Sequence, residues 1–162
     1  MALVGIVAKK QDIKSIERQI KNESIKIIEV KNENIEHLKN VKFDEIIVLK
    51  NIKLDDKTYK YMKQIMSNVN YLIINSDIDI EFDKKQIDIP IKMITFGFNS
   101  KATITISSIK EDKIIVCIQR NIEKINKQII EVQEKEVKID SQKDKKIYNN
   151  LSVFIITQLH NL

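Results

Sequence analysis

Glycine is nearly missing from this sequence: Gly5 and Gly97 are the two present in 162 residues. A loop that wraps a phosphate chain closely needs residues that accept positive φ, so a glycine-rich phosphate cradle is excluded. A single cysteine, Cys117, excludes an internal disulfide. Its place in the apolar run IIVCIQ predicts a buried, inert thiol. The two histidines, His37 and His160, have no cysteine or histidine partner at metal-ligand spacing, which argues against a zinc centre. No serine or cysteine stands in a nucleophile-elbow context, and the stretch TITISS is strand alternation. The N-terminus carries no long apolar run and no cleavage signature, so a cytoplasmic protein with no membrane partner is expected.

What is present is a globular composition, 43% apolar, with isoleucine making up roughly a fifth of the chain. β-branched residues favour strands. The net charge of +5 comes from 28 basic and 23 acidic residues that interleave along the chain. Without a long block of like charge or an aromatic-interleaved basic patch, the surface reads as solvated and mixed, and a nucleic-acid partner is not expected. The length suits one domain spanning residues 1–162.

The pattern along the chain is α/β. LVGIVAK (3–9) is a buried first strand, and DIKSIERQIKN (12–22) a helix with Ile13, Ile16 and Ile20 on one face and Asp12 as its N-cap. SIKIIEV (24–30) is a strand, NENIEHLKNV (32–41) a short helix, and DEIIVLKN (44–51) a third strand. DKTYKYMKQIMSNV (56–69) is a helix with Tyr61, Ile65 and Met66 inward, followed by the strand YLIINSD (71–77). Strands alternating with helices in this way imply a mostly parallel sheet. After Pro90 the pattern changes. KMITFGF (92–98) is another apolar strand, with Gly97 at a tight exit between two phenylalanines. KATITISSI (101–109), KIIVCIQR (113–120) and IIEVQEKEVKI (129–139) alternate with period two and read as antiparallel strands. DKKIYNNLSVFIITQLHNL closes the chain as an apolar helix.

Several separated pieces resemble one family, the Mur ligases, in their central ATP-binding domain. FDEIIVLKNIKLDD and YLIINSD are similar to strands that end in Thr-Asn-Ile-x-x-Asp-His and Asn-x-Asp-Asp in that family. IIEV (27–30) resembles the strand carrying a magnesium-binding glutamate, MITFGFNSKATITISSI (93–109) the strand and Gly-Phe turn that lead into an antiparallel section, and IYNNLSVFIITQLHNL (147–162) the helix after a His-Asn-x-x-Asn motif. The order holds from end to end. The resemblance implies metal-binding roles for Glu29, Asp55 and Asp56, the last standing where the family has a histidine. It places Asn149 near the adenine of a nucleotide cofactor and makes Lys63 the nearest counterpart, at too short a spacing, of the family's carbamylated lysine.

The departures bear on function. Where the family's first strand runs into a glycine-rich loop ending Gly-Lys-Thr or Gly-Lys-Ser, this chain has VGIVAKKQDIKSI. Lys9 and Lys10 offer charge without a nest of backbone N–H groups. The family's flanking domains, which bind the nucleotide-linked substrate and the incoming amino acid, have no counterpart in the sequence. The expectation is a non-catalytic, Mur-ligase-like binding or scaffolding protein without a cofactor, set in cell-wall or spore-envelope processes. The alternative is a sensor or enzyme that retains nucleotide or magnesium at the old strand ends. Asn51, Asn75 and Ser76 are expected to satisfy turn backbone rather than a ligand. The final helix adds an expectation of association. Leu151, Val153, Phe154, Ile155, Ile156, Leu159 and Leu162 surround it, too many for one small core, so a homo-oligomer or protein partner is expected there, with Ile155 facing outward.

Overall fold

The computed structural model describes residues 1–53, 55–79, 91–139 and 146–162. In chain order its elements are β1 (Ala2–Val7), α1 (Lys10–Gln19), β2 (Ile25–Glu29), α2 (Ile35–Leu38), β3 (Glu45–Val48), α3 (Asp56–Met66) and β4 (Tyr71–Asn75). There follow β5 (Lys92–Phe96), β6 (Ile104–Ile109), β7 (Lys113–Ile118), β8 (Ile122–Glu123), β9 (Ile129–Ile130), β10 (Gln133–Lys138) and α4 (Ile147–His160). Among the described residues eight strands form one sheet in the order β10-β7-β6-β5-β4-β3-β1-β2, and β8 pairs with β9 in a small separate ribbon. Strands β2, β1, β3, β4, β5 and β6 run parallel, while β7 is antiparallel to both β6 and β10. The change of pattern expected after Pro90 comes later than that residue: β5 and β6 still run parallel to β4, and strand direction reverses only between β6 and β7, within the same sheet. Pro90 itself, and Asp144 and Lys145 of the predicted final helix, lie outside the described residues.

Two apolar layers cover the sheet, and period-two alternation sends successive residues of a strand into different layers. Along β3, Ile47 enters one cluster with Ile13 and Ile16 of α1 and Leu151, Ile155 and Leu159 of α4. Its neighbours Ile46 and Val48 enter the other, with Ile35 of α2 and Met62, Ile65 and Met66 of α3. This is why β1, β3 and β4 read as unbroken apolar runs: a parallel strand clad on both faces has no wet side.

The structure corrects several expectations. Met62 rather than Tyr61 completes the inward face of α3; Tyr61 is half-buried at the edge, where its hydroxyl donates to Glu36 Oε1 at 2.9 Å. Lys9, not Asp12, is the N-cap of α1, and it makes no side-chain cap bond. The helix predicted over 32–41 is a single turn, Ile35–Leu38. The strand predicted over 129–139 is split into β9 and β10 by a break at residues 131 and 132. Cys117 is only half-buried, because β7 turns its even-numbered residues, Ile114, Val116 and Ile118, to the core.

The largest correction concerns α4. Five of the seven apolar residues expected to overfill the core are buried within the chain, and Ile155, expected to face outward, is 1% exposed. The helix lies beside α1 and over the sheet near Ile94 of β5, Ile104 of β6 and Ile118 of β7. Its last turn reaches Glu45 of β3, and Ile122 and Ile130 of the β8–β9 ribbon belong to the same cluster. That ribbon covers the side the sequence seemed to leave open. Burying one such side chain contributes about 2 kcal/mol, so five contribute on the order of 10 kcal/mol, comparable with the whole stability of a domain. The helix is structural core.

Candidate functional site

In an open sheet whose order runs β2-β1-β3, the direction of winding reverses between β1 and β3, and a crevice opens at their carboxyl ends. A cleft of about 420 Å³ lies there, lined by Lys9 after β1, Leu49 after β3, Asp12 of α1, Phe98 beyond β5, and Tyr148 and Asn149 of α4. Residues from four stretches of chain thus meet at one sheet end.

Internal bonds hold this cleft together. Asp12 sits in the first turn of α1, and its Oδ1 accepts from Lys146 Nζ at 2.6 Å and from Asn149 Nδ2 at 3.2 Å. Across the cleft, Asp77 follows β4. Its carboxylate accepts from the Phe98 amide at 2.6 Å, the Asn99 amide at 3.0 Å and the Tyr148 hydroxyl at 3.0 Å. Burial, and then the bond to and charge of Asp77, raise the Tyr148 pKa, so the phenol stays protonated as the donor. The Tyr148 and Phe98 rings meet edge to face with centroids 5.9 Å apart, and Phe98 is 50% exposed at the mouth. Gly97 has φ +144°, and a Cβ there would lie 2.4 Å from Asp77 Oδ2. The loop can close over Asp77 because residue 97 has no side chain.

Asn149, which the resemblance put near the adenine of a nucleotide, lines this cleft; it is 3% exposed and bound to Asp12. Glu29, Asp55 and Asp56 are employed separately. Glu29 ends β2, and its carboxylate lies 3.3 Å from Lys31 Nζ. Asp55 caps α3 by accepting from the Thr58 amide at 2.7 Å, and that bond holds its carboxyl below the usual value. Asp56 opens α3 as an exposed residue. Among the described residues no group of three or more His, Cys, Asp or Glu is placed to hold a metal ion, so the three carboxylates do not converge. Lys63 is exposed on α3. Asn75 and Ser76 hold backbone, as expected: Asn75 Oδ1 accepts from the Asp77 amide at 3.0 Å, and Ser76 donates to the Phe96 carbonyl through both its amide and its hydroxyl. Asn51 Nδ2 donates to the Asp79 carbonyl.

Asp77, Tyr148, Phe98 and Lys146 escaped the sequence reading. The Asn-Ser-Asp strand end was a signal for Asp77, but its partners lie 21 to 71 residues away. A second polar pair also went unseen. Glu45, on central strand β3, is fully buried, and His160 Nε2 in the last turn of α4 lies 3.3 Å from its Oε1. Among the described residues no hydrogen bond of good geometry reaches either Glu45 oxygen or His160 Nε2, and the contact between them is electrostatic. Burial raises the Glu45 pKa. At His160 burial works downward, but the contact with Glu45 and its charge outweigh it, and the net shift is upward.

No protein-family model matches the sequence, and no curated protein sequence matches it. Among solved structures, it is similar to MurF from Acinetobacter baumannii. The TM-score is 0.59 at 8% identity, over 99% of this chain and 43% of that one. At that identity the likeness is one of fold: a Mur-ligase-like α/β sheet with an antiparallel extension. The chain spans less than half the length of that neighbour. Among the described residues no helix is long and apolar enough to cross a membrane.

Proposed function

We propose that this chain is a non-catalytic binding or scaffolding domain on a Mur-ligase-like frame, in the setting of cell-wall or spore-envelope processes that the resemblance suggests. One observation carries the non-catalytic part. Only Ala8 and Lys9 separate β1 from α1, and the residue that joins them to the helix, Lys9, has extended backbone at φ −73° and ψ 144°. A joint this short, with no residue at positive φ, cannot aim successive N–H groups at a phosphate chain. The amino end of α1, where the helix dipole would favour a phosphate, instead carries the Asp12 carboxylate, bonded to Lys146 and Asn149. An incoming phosphate would have to displace that carboxylate from Lys146 and Asn149. The residues present do not fit a magnesium-bound nucleoside triphosphate, and no catalytic step is derived through one.

The alternative, residual nucleotide or metal binding, draws on the placement of Lys9, Lys146 and Asn149 around one cleft. Calorimetry with magnesium-ATP, beside a hydrolysis assay, tests the choice. The expected result is no heat beyond dilution and no turnover. Hydrolysis above background that disappears in Glu29→Gln would overturn the non-catalytic reading.

A further inference from the structure

The other end of the sheet, where the parallel strands begin, has a different character. Two clefts of about 290 and 370 Å³ meet there and share Tyr71, the first residue of β4, and Lys92, the first of β5. Lys92, Arg120, Lys124 and Lys127 line them, and Glu123 is the one carboxylate among the lining residues described. Four cations therefore surround one anion. Glu123 Oε1 lies 2.9 Å from both Lys92 Nζ and Lys127 Nζ, so a single oxygen serves two ammonium groups.

The frame beneath these charges is rigid. Tyr71 is 4% exposed, its hydroxyl donates to the Glu123 carbonyl, and Lys92 Nζ stands 5.6 Å over its ring. Arg120 donates to the Lys101 carbonyl at 3.2 Å, and Lys124 donates to Asn161 Oδ1. Both partners are uncharged, so these contacts orient the two cations without neutralising them. Ile94 and Ile122 are buried at the floor, and Met93 is 47% exposed beside them.

We propose that this paired cleft binds an acidic, extended segment of a partner protein; the inference rests on the binding-domain reading above. Three features select that occupant. Lys92 on β5 and Arg120, Lys124 and Lys127 in the stretch after β7 are spread along two clefts. The point on which Lys92 and Lys127 converge already holds a carboxylate oxygen, that of Glu123, and none of the described lining residues opens a helix. Among the described lining residues Tyr71 is the one aromatic and is buried, so these residues offer no face on which a nucleic-acid base could stack. The apolar floor between the cations accommodates side chains interspersed with carboxylates. Glu123 is an internal stand-in for such a carboxylate and competes with it for Lys92 and Lys127.

Fluorescence anisotropy of the full chain with a labelled peptide, Glu-Glu-Leu-Glu-Glu-Leu-Glu-Glu, tests the proposal at low and at about 0.15 M salt, where a charge-steered complex weakens. The double reversal Lys124→Glu with Lys127→Glu should weaken binding by about tenfold or more. Lys10→Glu with Lys14→Glu, on exposed positions of α1, changes the net charge equally and should leave affinity within about twofold. Glu123→Gln, which releases two lysines, should tighten binding. If the double reversal fails to fold, Lys127→Gln carries the test, because the Lys127 side chain is 78% exposed. Equal losses in both double variants, or weaker binding by Glu123→Gln, overturn the site. Tighter binding of a single-stranded oligonucleotide or of pyrophosphate overturns the occupant. These outcomes are separable from ATP turnover: loss of the peptide site leaves the non-catalytic reading standing, and turnover would refute that reading without touching the cleft.

Discussion

Placing a methyl group on residue 97 should cost this fold more than its exposed surroundings suggest. Gly97 has φ +144°, and an added Cβ would lie 2.4 Å from Asp77 Oδ2, 2.7 Å from its Cγ and 2.9 Å from its Oδ1. Two costs follow in Gly97→Ala. Holding an L residue in that conformation costs about 1–3 kcal/mol. Asp77 must also move, giving up its bonds to the Phe98 and Asn99 amides and the Tyr148 hydroxyl. Because Asp77 is exposed, those three bonds together add only about 1 kcal/mol. A total of about 2–4 kcal/mol lowers Tm by about 5–15 °C in a chain of this size. A double-mutant cycle with Asp77→Ala separates the two costs. Once the carboxylate is gone the methyl group has nothing to strike, so Gly97→Ala should be cheaper in that background by about 1 kcal/mol. Thermal denaturation of the wild type, both single variants and the double variant measures all four corners. A neutral Gly97→Ala would refute the backbone argument, and full additivity would refute the contact with Asp77.

The Glu45–His160 pair predicts a pH dependence of stability. Both folded values are raised, from 4.5 for Glu45 and from 6.5 for His160. Stability from a raised group is complete below its unfolded value and is lost as pH rises through its folded value. The wild type should therefore lose stability relative to Glu45→Gln as pH climbs from about 5 through the raised folded values; urea titrations showing the opposite sign would sink the assignment. Ile155→Asp, at a position 1% exposed in the α4 core, should cost about 3 kcal/mol or more and unfold the chain. Circular dichroism with light scattering checks this, since a folded chain of altered assembly state would place Ile155 at an interface.

Much of the fold was legible along the chain. Alternation with period two, helical faces such as Ile13 and Ile16, and Gly97 between two phenylalanines are local properties, set by backbone sterics and by which side chains one element presents. The quoted motifs, in their order, pointed to the frame of a Mur-ligase-like domain, and the resemblance singled out Asn149, which only the structure puts in the crevice where the strands reverse. What the sequence could not reveal depends on contacts between distant residues. Asp12 meets Lys146 from 134 positions away and Tyr71 meets Glu123 across 52, and no spacing rule links such pairs. Nothing in the sequence around Glu45 marks it as buried; that follows from β3 lying inside the sheet and being clad on both faces. Apolar residues that seemed to overfill the core around α4 fit because Ile122 of β8 and Ile130 of β9 join the cluster around that helix. The chain itself wrote the period and polarity of each element. Which helix covers which face, and which charge is left with a buried partner, was decided only when the helices packed onto the sheet, because burial is a property of packed surfaces.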